Sequence, residues 1–243
     1  KKRLGKVLAD VAVLLQPVPQ LVTAAVLANQ VELGPVAGGQ DDGLVDAVDL
    51  GQAAQRRLES LGISTRYLRH LEGEYTAQAF ITTDVDDNQI TAFHPGAMQE
   101  SRLNKVGDTE GITLGIVAPD AREAMLQHGR DFKAHGIPFI FDPGQAMTLF
   151  SGDDLKEFIG LANWLIVNDY EFQLLKEKSG LNGDEIANQV EALVVTRGAE
   201  GSILRTREDE IEIAPTEPDD VQDPTGCGDA FRSGLIYGLL AYV

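Results

Sequence analysis

Thiols are all but missing from this chain: Cys227 is its one cysteine. A lone cysteine excludes an internal disulfide and fits a reducing compartment, so a cytoplasmic setting is the expectation. Basic side chains are scarce too, 20 Lys and Arg against 38 Asp and Glu, for a formal net charge of −18. That balance argues against DNA or RNA as a partner, because binding a phosphate backbone needs a basic footprint. A small anion held by backbone N–H groups and a metal ion remains open. No apolar run approaches the roughly 18 residues of a membrane span. Val11–Leu15 is short, and Pro17 and Pro19 break the apolar stretch after it. The opening "KKRLGKVLADVAVLL" is charged but lacks a small-residue cleavage site, so no signal peptide is read there. No G-x-G-x-x-G follows an early strand, which counts against a dinucleotide-dependent oxidoreductase. His70, His128 and His135 show no metal-ligand spacing, and "DVDDNQ" (84–89) departs from a calcium-loop pattern.

What is present is ordinary globular material. The 243 residues are 43% hydrophobic and 24% charged, enough for one α/β domain, 1–243, with a large core. From residue 112 onward, short apolar runs alternate with amphipathic stretches. "ITLGIVAP" (112–119), "IPFIFDP" (137–143), "WLIVN" (164–168) and "ALVVTRG" (192–198) read as buried strands. "DAREAMLQHGRDFKAHG" (120–136), "SGDDLKEFIGLA" (151–162) and "DYEFQLLKEKSG" (169–180) read as helices, with Asp120 and Ser151 as N-caps and Gly136 as a stop. This alternation predicts a mostly parallel sheet covered on both faces. "SILRT" and "EIEIAP" predict an antiparallel hairpin across "REDE", and a last helix runs from about Gly226 to Tyr242. Earlier, "GQAAQRRLESLGIST" (51–65) reads as a helix ending at Gly62. Residues 74–94 read as two strands joined at Asp86–Asn88, either a lid or an ordinary hairpin.

The stretch "DPTGCGDAFRSGLIYGLL" (223–240) carries chemistry. Its glycines let backbone N–H groups converge, and the helix that starts there adds unsatisfied donors and the positive end of its dipole. Asp229, about one turn in, is badly placed to bind an anion but well placed to take a proton from an attacking hydroxyl. The same pattern also fits a plain helix start with an acidic first turn, which the dipole favours. Cys227 has no histidine near it in sequence and is not read as a nucleophile.

This stretch resembles the C-terminal signature of the ribokinase/PfkB-type carbohydrate kinases, D-T-x-G-[AG]-G-D followed by a helix. Asp223, Gly226, Gly228 and Asp229 match; Pro224 stands where threonine is usual. "VNDYE" (167–171) resembles that family's N-x-x-E motif, "VVTRGAEGS" (194–202) the strand and turn beside its nucleotide, and "FDPG" (141–144) its D-P segment. The resemblance covers roughly residues 62–243. It implies a ribokinase-like doubly wound α/β sheet with a small β lid at 74–94, and ATP- and Mg²⁺-dependent phosphorylation of a primary hydroxyl on a nucleoside or sugar. Asp229 is then the base, and Gly226, Cys227 and Gly228 form the anion hole. Asn168 and Glu171 organise Mg²⁺, in part through water. Thr196, Gly198, Gly201, Asp223 and Asn168 serve the nucleotide, and Arg197 is either a phosphate ligand or a solvated surface group. Within the family, "AQAFITTDVDDNQITAFHPGAM" is closest to bacterial adenosine-kinase-like members. Phe80 or Phe93 is then either a base-stacking residue or core.

The N-terminal acceptor motif, commonly G-G followed by Asn, is not matched. "GPVAGGQDDG" (34–43) supplies Gly38 and Gly39 without that Asn, and Asp10 in "LADVAVLL" is the candidate for substrate hydroxyls. The rival readings are a sugar kinase and a catalytically weak nucleotide-binding relative. A lid strand paired between subunits would make a homodimer.

Overall fold

The computed structural model describes residues 47–83, 89–216 and 226–242. Its centre is a six-stranded sheet in the order β3 (Gly115–Val117), β4 (Phe139–Phe141), β5 (Trp164–Asn168), β6 (Ala192–Thr196), β7 (Ser202–Arg205), β8 (Glu210–Ile213). The strands β3 to β6 run parallel, and β7 and β8 return antiparallel as the expected hairpin. Strand order follows chain order, so every connection between parallel strands is a short crossover carrying a helix.

Alternation along the strands divides the core in two. Phe139, Phe141, Leu165, Val167, Leu193 and Val195 face helices α2 (Arg122–Ala134), α3 (Gly152–Leu161), α4 (Asp169–Ser179) and α5 (Gly183–Ala187). Ile140, Trp164, Ile166, Ala192 and Val194 face α6 (Cys227–Tyr242), whose Leu235, Ile236 and Leu239 pack on them. This is the pattern of strands buried on both sides. Each of those three α6 side chains contributes roughly 1.5–3 kcal/mol on burial. Together they hold the helix on the sheet although its first turn is exposed.

Local differences from the sequence reading have physical causes. Strand β3 covers three residues, not eight, because β4 offers it only three partners. Asp120 does not cap α2; Ala121 holds the cap position. The Asp120 carboxylate is buried and accepts from Ser101 Oγ at 2.8 Å and from the Ala121 N–H at 2.7 Å. Ser151 caps α3 as expected, in a full capping box with Asp154. Helix α2 stops before Gly136, which takes φ +66°.

Ahead of the sheet lie α1 (Ala47–Ser60) and a separate antiparallel ribbon, β1 (Gln78–Thr83) with β2 (Gln89–His94). The turn expected at Asp86–Asn88 lies outside the described residues. Phe80 and Phe93 are 61% and 46% exposed, so neither is core.

Candidate functional site

The carboxyl ends of parallel strands collect the loops that can hold a ligand, and the helices that follow point their N-termini there. At this edge Asn168 ends β5 and Thr196 ends β6, directly paired in register. Beside them Asp142 follows β4, its N–H bonded to Val117 C=O at 2.9 Å. Phe141, the residue before it, stacks on Phe158 at 4.0 Å between ring centroids. Asp142 therefore leaves a rigid strand end.

Asn168 is also the N-cap of α4. Its Oδ1 accepts from the Glu171 N–H at 2.7 Å, and Glu171 Oε2 accepts from the Asn168 N–H at 2.9 Å. The box commits one oxygen of each side chain. Among the described residues Glu171 Oε1 has no hydrogen bond. No three His, Cys, Asp or Glu residues among those described come together as a metal cage. A lone hard oxygen of this kind fits Mg²⁺, which keeps several waters and leans on substrate phosphates rather than on an all-protein cage.

After β6 the chain turns through Gly198 and Gly201, with φ of +56° and +83°. A β-carbon at Gly201 would strike the Ile213 carbonyl, so the turn can lie this close to the hairpin only with glycine. The Arg197 N–H donates to Gly201 C=O at 2.8 Å, and its guanidinium pairs with Glu212 at 3.7 Å. Arg197 is thus partly buried and ion-paired rather than freely solvated.

Helix α6 opens on the same side of the molecule. Gly226 has φ +82°, and its C=O accepts the first helical bond, from Ala230 N–H at 2.9 Å. The N–H groups of Cys227, Gly228 and Asp229 therefore lie at the open end of the helix. Cys227 is exposed. Asp229 is largely exposed, and its Oδ1 accepts from Arg232 Nη1 at 2.9 Å. Arg232 reaches on to Asp142, as an ion pair through Nε and a 3.2 Å hydrogen bond through Nη2. Asp142 is 1% exposed. Burial pushes its carboxyl up to about 6 against the pull of Arg232, and nearby Glu171 and Asp229 push it the same way. Burial alone would lower the Arg232 guanidinium; Asp142, Asp229 and Glu171 outweigh it and raise it.

The fold thus ties Asp229, on the helix turn that follows Gly226 and holds Cys227 and Gly228, to Asp142 through Arg232, and sets Glu171 within electrostatic reach of both Asp142 and Arg232. It pairs Asn168 with Thr196. Phe80 stands apart on the ribbon. Asp10, Gly38, Gly39 and Asp223 lie outside the described residues. Sequence reading missed Arg232; its signal was the i,i+3 spacing from Asp229, which places opposite charges side by side on a helix.

Residues 43–242 match the profile of the pfkB family carbohydrate kinases. A nucleoside kinase of Methanocaldococcus jannaschii is 35% identical over 192 residues, which cover 78% of this chain and 61% of that protein. The solved nucleoside kinase of Burkholderia thailandensis, in complex with inosine, is 49% identical with a TM-score of 0.78, covering 80% of this chain and 65% of that one. The adenosine kinase of Sinorhizobium meliloti shares the fold, with a TM-score of 0.63 at 20% identity. The chain spans about three-fifths of the length of these relatives.

Proposed function

Since the chain belongs to the pfkB family of carbohydrate kinases, we propose that it transfers the γ-phosphoryl group of ATP to the primary hydroxyl of a purine nucleoside, adenosine or inosine. The observation that carries this reading is the placement of Asp229. It sits at the open start of α6, tied through Arg232 to Asp142 on the carboxyl edge of the sheet. The nucleoside assignment is supported by the relatives in Methanocaldococcus jannaschii and Burkholderia thailandensis, the latter solved with inosine. It is coarser than the adenosine-kinase-like reading, for which the adenosine kinase of Sinorhizobium meliloti lends only a shared fold.

On this reading the Asp229 carboxylate accepts the proton of the nucleoside hydroxyl as that oxygen bonds to the γ-phosphorus. The bond from phosphorus to the β,γ-bridging oxygen breaks, and ADP leaves. The N–H groups around Gly226, Cys227 and Gly228 face the charge that spreads over the transferring oxygens. Thr196, Gly198 and Gly201 line the nucleotide, and Asp223 lies just ahead of the anion hole in sequence. Asn168 and Glu171 would hold Mg²⁺ through water, and that ion supplies charge neutralisation on the phosphates when bound. The ribbon at 74–94 would close over the acceptor with Phe80 against the base, and Asp10, Gly38 and Gly39 would meet the ribose.

The test is ADP release by the full-length protein with ATP and Mg²⁺, against adenosine, inosine, other nucleosides, ribose, fructose and 2-keto-3-deoxygluconate. Turnover with purine nucleosides and none with free sugars is expected. Turnover with a sugar alone keeps the kinase and discards the acceptor. ATP binding without turnover of any acceptor favours a binding protein.

A further inference from the structure

We propose that Arg232 is a positioning residue for phosphoryl transfer: anchored on the buried Asp142, it fixes the otherwise free Asp229 carboxylate at the mouth of the anion hole. This rests on the reading of Asp229 as the base. Asp229 is 73% exposed on a helix's first turn, and Arg232 is the side-chain partner that the described residues give it. A short exposed carboxylate without a partner samples several rotamers, only some of which meet an incoming hydroxyl. Arg232 can restrain it because its own guanidinium is fixed. Two of its nitrogens meet Asp142, which is almost fully buried at the end of β4, and a third meets Asp229. A planar fork with several donors bridges two carboxylates at once; a lysine ammonium at the end of a flexible stem does not. Gly228 belongs to the same device. A β-carbon there would lie 2.8 Å from Arg232 Nη1, so a larger residue would push the guanidinium from the position in which it bridges the two carboxylates. The link joins two motifs far apart in the chain, "FDPG" and "GCGD", through a residue that belongs to neither.

Two variants of the full-length protein test this. Arg232→Lys keeps a cation against Asp142 but loses the bridge. Arg232→Gln combined with Asp142→Asn removes both charges of the buried pair, so no carboxylate is left buried and unpaired. In each, kcat for nucleoside phosphorylation is expected to fall about ten- to hundredfold, the scale of a misplaced reacting group. The KM values for ATP and nucleoside should stay within about threefold, since the lost interaction serves the transition state. A folded double variant with kcat near wild type overturns the proposal and leaves Arg232 as a counter-ion of Asp142. A rise in KM for ATP at unchanged kcat also overturns it and makes Arg232 a phosphate ligand. A crystal structure of the double variant decides the matter without turnover: Asp229 should leave its wild-type position, and an unmoved carboxylate refutes the positioning role. Absence of nucleoside phosphorylation by the wild-type protein would sink the proposed function instead, with the structural comparison still answering for Arg232.

Discussion

Helices α4 and α6 both carry an acid as their third residue, and the two acids do opposite things. In α4 Glu171 turns back onto its own backbone and, with Asn168, closes the helix start in a capping box. In α6 the residue before the helix is Gly226, which has no side chain to cap with, and the third residue, Asp229, turns to Arg232 instead. Helices α3 and α5 resemble α4: Ser151 with Asp154 and Asn182 with Glu185 form full boxes. A closed start satisfies its donors internally and stabilises the fold by about 1 kcal/mol. An open one leaves them for a ligand, and its acid is free to work on something other than the helix. On the proposed function, one sequence device, an acid one turn into a helix, closes the helix start in α4 and meets the acceptor hydroxyl in α6.

The largest effect should come from removing the proposed base. Asp229→Asn keeps the shape and loses the base, so turnover with the nucleoside should drop by about 10²–10⁴. ATP affinity, measured by titration calorimetry, should change by no more than a few fold, since the asparagine leaves the helix N–H groups in place. Near-normal turnover in this variant would remove Asp229 from its role and make the two helix starts functionally alike.

Next comes the buried partner of that device. Asp142 titrates in the folded protein at about 6, above its ordinary value of 3.8, chiefly because of burial. A raised acid makes the folded state hold a proton that the unfolded chain has already lost. Its contribution to stability is therefore greatest at low pH and declines as pH rises from about 4 through about 6, then stays level. Other carboxylates impose their own slopes, so the measurement is a difference: denaturant unfolding of wild type and Asp142→Asn across that range. The wild type should lose ground relative to the variant as pH rises. A difference that does not change with pH would mean Asp142 is no more costly to charge in the fold than out of it.

Much of this was legible in the sequence because it is local. The apolar run Trp164 to Asn168 set its strand limits to the residue, the run read as 192–198 overshot its strand by two residues, and Ser151 announced its own cap. What was not legible was non-local. Asp120 has the sequence of an N-cap, but Ser101, 19 residues away, takes its carboxylate. Phe80, read as either base-stacking or core, lies on a ribbon that pairs with no other strand among the described residues and is left exposed. The pairing of Arg232 with Asp142 spans 90 residues and has no period to betray it. The motifs themselves were readable; the arginine that joins two of them required the fold.

The smallest effect separates a cap from a site. Asn182→Ala and Asn168→Ala each remove an N-cap whose Oδ1 accepts a third-residue N–H, at 2.9 Å in α5 and 2.7 Å in α4. Both should lower stability by about 1 kcal/mol. In a domain of this size that is a fall in Tm of roughly 2–4 °C, readable by thermal unfolding. Turnover should part them. Asn182 lies away from the carboxyl ends of the parallel strands, so its loss leaves kcat unchanged. Asn168 ends β5 beside Thr196, and its box fixes Glu171, so its loss should lower turnover and raise the Mg²⁺ concentration needed for half-maximal rate. Equal turnover in both variants would reduce the α4 box to a structural cap. Asn168 and Glu171 would then have no part in holding the metal and phosphates, and α6 would be left as the one helix start at this edge that works on substrate.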